Sequence, residues 1–340
     1  MVGHIERRDK VNRPRILIAY ALNDGQFVPE QRERLREFAE SVENPHNRPL
    51  TDDEKMDLLR DVDGAALGRS GRGLTHGMID SAQRLKVIGL IGSSVKMLEP
   101  EHAIDKGITI FNTAPCLGLA VAEYTIGLML AGLRDIPYFA SRMETQKWPS
   151  ARRDYFNLSE KTVGLVGFGA VARHVARMLK GFDVELLVYD PYTPDDVITE
   201  AGGRSAPLDV VLSQSDVVSL HCGSTEETYH MISHRELDML KDNAVLVNTS
   251  RGAVIDEDAL ASKLPERHFF ACLNVFEQEP LPEDSPLRGH ENCLLTPHGA
   301  GKTLDTYRLN SEMLVDDFRR FFRGETPKNL VRREMLAKMT

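Results

Sequence analysis

Residues 161–172 read KTVGLVGFGAVA, and a second apolar run, 184–189, ends in Asp190. The stretch 162–168 is apolar and β-branched with no helical period, as in a strand buried on both faces. Gly167 permits a tight turn, and Gly169 lets backbone approach a pyrophosphate at a helix N-terminus. Ala172 is small enough for that helix to lie on the strand. The helix is expected over 171–179, with Ala170 and Val171 at its entry counted among the cofactor-binding residues. Asp190, at the end of the next strand, is placed to accept both ribose hydroxyls of NAD and to repel the 2′-phosphate of NADP. A bare GxGxxA is a weak sign, since small residues also serve ordinary turns. Strand, glycines, helix, strand and acid in that order make it a dinucleotide site.

Hydride transfer to a carbonyl needs more than a nicotinamide. It needs a cation to hold the substrate and polarise its oxygen, a group to exchange the proton, and a partner to set that group's protonation. Three loops after apolar runs carry such residues. Arg251 lies in NTSRGAVID beside Gly252, where a guanidinium can pair with a carboxylate. A solvent-facing arginine ending a strand is the ordinary alternative. His298 lies in TPHGAG, between Pro297 and Gly299. A lone histidine is more often structural, but this one has small neighbours that leave room for a ligand. Glu279, in FEQEP, would pair with His298 and favour its charged form; loop acidity is the alternative, since Glu277, Glu283 and Asp284 crowd the same stretch.

The elements that must position these residues alternate along the chain. Strands are expected over 15–22, 64–68, 87–92, 108–113, 162–168, 184–189, 217–222, 244–249, 269–276 and 293–296. Between them lie helices over 30–41, after the capping-box pattern Thr51–Glu54, over 100–106, 171–179, 235–240 and 257–263, and one around Val210. The most apolar helix, 120–133, is expected to be buried on most sides and to join two domains. The stretch 137–148 carries Tyr138, Phe139, Met143 and Trp148, a set suited equally to packing within its own domain or to a subunit interface. Residues 304–322 form a long amphipathic helix expected to return to the first domain. The fold class that follows is α/β, two doubly wound Rossmann-like domains with parallel sheets and a cleft between them. A substrate domain of 1–112 plus 302–340 would flank a dinucleotide domain of 113–301.

Bulk properties narrow the partners. The length suits two domains, and 41% hydrophobic with 27% charged residues is ordinary for a soluble globular protein. A net charge of -9 argues against nucleic acid or an acidic membrane surface, leaving a small molecule as partner. No uninterrupted run of 18 apolar residues occurs, and the first apolar stretch has no cleavage signal after it, so no membrane partner is expected. Cys116, Cys222, Cys272 and Cys293 are far apart with no CxxC, which fits free thiols in a cytoplasmic protein and no metal site.

With these segments taken together, the chain resembles the D-isomer-specific 2-hydroxyacid dehydrogenase family over nearly its whole length. The segments are KTVGLVGFGAVA, HCGSTEET, LVNTSRGAVIDEDAL, LNVFEQEPLPEDSPL, LLTPHGAGKT and GETPKNLV. The resemblance implies NAD as cofactor and a 2-oxo acid or D-2-hydroxy acid as substrate. Arg251 would bind the substrate's carboxylate and carbonyl, with His298 as acid/base and Glu279 as its partner. His221, Thr249, Asn274 and His298 would join the glycine turn in holding NAD, and a homodimer formed through the dinucleotide domains is implied. The chain departs from the family pattern at several points. Asn274 stands for the usual aspartate near the nicotinamide carboxamide, Gly223 for a proline and Leu117 for an asparagine. The substrate loop reads Gly92-Ser93-Ser94-Val95-Lys96-Met97 in place of a turn ending Val-Asp-Asn. Backbone N–H groups at Ser93 and Ser94 can hold a carboxylate, while Lys96 either favours a second anionic group or faces solvent.

Two other readings share these motifs. An NADH-sensing scaffold resembling the C-terminal-binding corepressors keeps the same trio, although no tails or nucleic-acid-binding segments are expected to flank the two domains. A formate dehydrogenase-like enzyme needs no proton donor and pairs its histidine with glutamine, against which Glu279 speaks.

Overall fold

A computed structural model describes residues 13–21, 25–68, 73–92, 94–145, 148–266 and 269–336. The chain divides into two compact units, Met1–Ala114 with Leu304–Met339, and Pro115–Thr303.

In the first unit five parallel strands pair in the order β2-β1-β3-β4-β5: β1 Arg15–Ile18, β2 Glu40–Glu43, β3 Gly64–Gly68, β4 Val87–Ile91 and β5 Thr109–Asn112. This is one of the two common doubly wound orders. Every residue of β3 and β4 is buried, as central strands covered by helices on both faces require. The returning helix, Leu304–Phe322, inserts Leu314, Val315 and Phe318 among Ile16, Ile18 and Phe111. Each such side chain stabilises the fold by roughly 1.5–3 kcal/mol through burial. Thr51 and Glu54 form the expected capping box, which opens the helix Asp52–Leu59.

The expected helix over 30–41 is corrected. It runs Pro29–Arg36, and Glu40–Glu43 is instead β2, in parallel register with Arg15–Ile18. The Glu40 N–H donates to the Pro14 carbonyl at 2.8 Å, so satisfying the open edge of β1 outweighs the helical continuation. A polar edge strand of this kind has no apolar alternation to reveal it.

The second unit holds seven parallel strands in the order β12-β11-β10-β9-β6-β7-β8. They are β6 Thr162–Val166, β7 Glu185–Tyr189, β8 Arg204–Ser205, β9 Val217–Leu220, β10 Val245–Asn248, β11 Phe270–Leu273 and β12 Cys293–Leu295. The order reverses between β6 and β9, which places a switch point at their carboxyl ends, where doubly wound sheets bind ligands. The two-residue edge strand β8 was not expected from sequence.

The apolar helix starts earlier than expected, at Ala114, and ends at Leu133. Pro115 falls in its first turn, where the missing N–H has no helical acceptor to lose. One stripe of it, Pro115, Leu119, Glu123 and Gly127, is exposed, and its other sides are buried or half-buried, as expected. By length and composition this 20-residue helix could cross a membrane. Its opposite face, through Ala122, Leu128, Met129 and Leu133, packs into the core of the seven-stranded sheet with Val163 and Val245. The following helix is Ile136–Thr145.

All four cysteines are free thiols. Burial pushes Cys222 up to about 11 and Cys293 up to about 12, and raises Cys272 further still. Thiols held neutral in this way are poor nucleophiles.

Candidate active site

The dinucleotide turn is built as its sequence requires. Gly167 adopts φ +92°, and a Cβ there would stand 2.7 Å from the Cys222 nitrogen, so only glycine lets β6 turn this close to the end of β9. Gly169 caps the helix Ala170–Leu179, and a Cβ at Gly169 would meet nothing within 4 Å. The first-turn N–H groups of Ala170 and Val171 have no helical acceptor. Open space above a helix start is what a pyrophosphate needs. Ala172 is fully buried and seats the helix on the sheet.

Asp190 is held by three backbone N–H groups. Phe168 donates to Oδ2 at 2.6 Å, and Tyr192 and Thr193 donate to Oδ1 at 2.8 and 3.0 Å. The carboxylate is thereby tied to the glycine turn itself. His221 lies beyond β9, its Nε2 2.9 Å from the Ser219 hydroxyl. Burial lowers its pKa to about 4, so the ring is neutral at physiological pH. Thr249 is buried, with its hydroxyl 2.8 Å from that of Thr125.

Arg251, Glu279 and His298 all follow strands of this same sheet, β10, β11 and β12. Asn248 organises the first loop: its Oδ1 accepts from the Ser250 N–H at 3.0 Å, and its Nδ2 donates to the Arg251 carbonyl at 2.9 Å. The Asx turn in Asn-Thr-Ser was available in the sequence and is a signal the motif reading passed over. Arg251 itself donates from Nη1 to the Ser250 carbonyl at 2.7 Å.

Gly252 joins this loop to the next. A Cβ at 252 would lie 1.9 Å from the Phe276 carbonyl carbon, so two backbones touch there. A reciprocal clasp reinforces the contact. The Glu277 N–H donates to the Glu257 carboxylate at 2.7 Å, and the Glu257 N–H to the Glu277 carboxylate at 3.1 Å. Burial, with the charges of Glu277, Asp258 and Glu279, raises the Glu257 pKa.

The His298 Nδ1 lies 2.7 and 2.6 Å from the two oxygens of Glu279. Glu279 Oε1 also accepts the Phe276 N–H at 3.2 Å, which fixes the carboxylate to its own loop. A carboxylate on Nδ1 sets the tautomer of a neutral imidazole and stabilises the imidazolium. His298 has φ 43°, a strained backbone for a side chain of this size. Its N–H donates to the Asn274 carbonyl at 2.8 Å. The Asn274 side chain brackets the same turn, accepting the Ala300 N–H at 3.2 Å and donating to Thr296 Oγ1 at 2.9 Å. Asn274 is 1% exposed, so its amide serves this turn from within the core.

Thus the structure brings His298 into contact with Glu279 through its ring and with Asn274 through its backbone, with the Arg251 loop set against the Glu279 loop at Gly252. The substrate-loop residues belong to the other unit. Ser94 follows β4 and is half-buried, Lys96 is exposed at the start of a short turn, and Ser93 lies outside the described residues. Among the described residues no group of three or more His, Cys, Asp or Glu side chains could hold a metal ion.

Residues 126–300 match the family described as D-isomer specific 2-hydroxyacid dehydrogenase, NAD binding domain. A glyoxylate reductase of Korarchaeum cryptofilum is 36% identical over 264 residues, covering 76% of this chain and 80% of that protein. The chain belongs to the D-isomer-specific 2-hydroxyacid dehydrogenase family. A D-3-phosphoglycerate dehydrogenase of Methanocaldococcus jannaschii is 34% identical over 284 residues, 83% of this chain but 54% of that longer protein. The chain thus matches about half the length of that relative. A Thermus thermophilus protein of solved structure superposes with a TM-score of 0.82 at 28% identity, covering 94% of this chain and all of that one. Both sheets fit the dehydrogenase fold, and membership makes the chain an NAD-dependent oxidoreductase. The expected family and cofactor are therefore borne out.

Proposed function

We propose that the protein interconverts a small 2-oxo acid and its D-2-hydroxy acid. The unit Pro115–Thr303 holds NAD(H), and the unit of Met1–Ala114 with Leu304–Met339 acts as substrate domain. The observation that carries this reading is the double contact of Glu279 with His298 Nδ1, at 2.7 and 2.6 Å, on loops at the carboxyl ends of the dinucleotide sheet. Gly167, Gly169, Ala170 and Val171 seat the pyrophosphate, and Asp190 takes the ribose. His221, Thr249 and His298 would hold the nicotinamide half, and Asn274, buried with its amide bonded to Ala300 and Thr296, would act only through the turn that carries His298.

In this reading Arg251 pairs with the substrate carboxylate and polarises the carbonyl. Bound NADH supplies the hydride to the carbonyl carbon. His298 gives a proton to the carbonyl oxygen as negative charge develops there, and recovers it in the reverse direction. Glu279 holds the ring in one orientation and balances its charge until the proton leaves. The relative named glyoxylate reductase favours a small substrate. The exposed Lys96 fits a residue facing solvent in its own unit.

We also propose a homodimer formed through the NAD-holding unit, because Ile136, Met143, Trp148 and Tyr155 are 53%, 51%, 86% and 49% exposed there. Free thiols and a small-molecule substrate go with residence in the cytoplasm.

The test is NADH oxidation across glyoxylate, hydroxypyruvate, pyruvate, phenyl and branched 2-oxo acids and diacids, with His298→Ala alongside. Turnover on a small 2-oxo acid, reduced about 10²–10⁴-fold in the variant with NADH binding retained, is the expected result. Turnover in the variant equal to wild type would refute the mechanism. NADH binding with no turnover on any member would favour an NADH-sensing scaffold.

A further inference from the structure

At the amino ends of β1, β3 and β4 a cavity of about 300 Å³ is lined by Arg13, Lys86, Arg319 and Arg323, with Asp63 as the one acid. Phe38, Phe322 and Pro14 form its apolar walls. In a chain of net charge -9, such a concentration of cations calls for an explanation.

The ion pairs around the cavity do not neutralise it. Asp63 is already shared, accepting the Arg15 N–H at 3.0 Å and lying 3.1 Å from Arg84 and 3.4 Å from Lys86. Arg319 meets Glu37 at 2.8 Å, but its Nε is buried with no hydrogen-bond partner. Arg13 donates to backbone carbonyls, those of Arg36 and Ala39. Among the described residues, Arg13 and Arg323 each lack a carboxylate within ion-pair distance.

We infer that this cavity is a binding site for a phosphate group carried by a small organic molecule. Phosphate bears about −1.5 to −2 charges near neutral pH and three strong acceptor oxygens, which suits several arginine forks converging from different segments. Phe38, already faced by the Arg319 guanidinium at 5.1 Å, and Phe322 offer surface to a carbon body. Lys86 immediately precedes the five-residue strand β4, and the substrate loop follows its other end. At about 3.3 Å per residue the two are roughly 17 Å apart, so a ligand here leaves the substrate loop open.

Calorimetric titration of the full chain with inorganic phosphate and with glucose 6-phosphate, at constant ionic strength, tests this. The expected result is saturable binding of one equivalent, tighter for the sugar phosphate. The double variant Lys86→Gln, Arg323→Gln should weaken it at least tenfold, and Arg13→Gln should weaken it independently. Both changed side chains of the double variant are exposed, so its melting temperature and NADH turnover should stay at the wild-type level. Arg235→Gln, an exposed arginine on the helix His234–Asp238 of the other unit, should leave binding intact. Equal affinity for the two ligands would show that phosphate alone is recognised and overturn the organic part of the inference. No saturable heat with either ligand, or binding retained in both the double variant and Arg13→Gln, would overturn it altogether.

Discussion

Gly252→Ala should damage catalysis far more than NADH binding. The added methyl carbon would stand 1.9 Å from the Phe276 carbonyl carbon, 2.1 Å from its oxygen and 2.3 Å from the Glu277 nitrogen. All three are backbone atoms and cannot rotate aside. Non-bonded carbons rest at about 3.5–4.0 Å, so the Arg251 and Glu279 loops must part by roughly 1.5 Å. Overpacking of this kind costs about 1–3 kcal/mol, and a 1 Å misplacement of catalytic groups can cost about 10²-fold in rate. The expected outcome is a kcat/KM for 2-oxo acid reduction at least about 100-fold below wild type. NADH affinity, followed by nicotinamide fluorescence, should fall far less than kcat/KM, because the Gly167–Asp190 turn that seats the pyrophosphate and ribose lies on other loops. Circular dichroism would check that the variant folds. A folded variant with wild-type kcat/KM would show that the contact between these loops does not position the reacting groups.

Glu279→Gln replaces a charge-assisted contact on His298 with a neutral one. It should lower kcat about ten- to a hundredfold while leaving NADH affinity unchanged; loss of both together would remove Glu279 from its assigned role. His221 imposes an acid limit on stability. Its pKa is about 4 in the fold against 6.5 for an ordinary histidine, so the unfolded chain binds more protons between these values and stability falls as pH drops from 6.5 toward 4. Urea midpoints should fall less over that window in His221→Gln than in wild type, and equal slopes would refute the assignment. Trp148→Asp combined with Met143→Asp should convert a dimer to monomer in sedimentation equilibrium, and an unchanged mass would refute this interface.

Much of the molecule was legible from local chemistry. The strand–glycine–helix–strand–acid order around Gly167 and Asp190, the Thr51–Glu54 capping box and the loops bearing Arg251, Glu279 and His298 depend on turn conformations and apolar periodicity within a few residues. For that reason they survive folding unchanged. The start of the apolar helix at Ala114 was harder to see, since Pro115 and Gly118 mimic a loop although proline is harmless in a first turn.

What only the tertiary structure decided involves residues far apart in sequence. Glu40–Glu43 becomes a strand because β1 offers an unpaired edge, not because ESVE prefers one. Gly252 is obligatory because sheet register sets its backbone against Phe276. His298 meets Glu279 through Nδ1, and Asn274 brackets the turn from within the core, because β11 and β12 pair in one particular register. The cation-lined cavity draws on residues from Arg13 to Arg323. Local propensity acts over a few residues, whereas these juxtapositions follow from strand order and the satisfaction of backbone hydrogen bonds across the whole sheet.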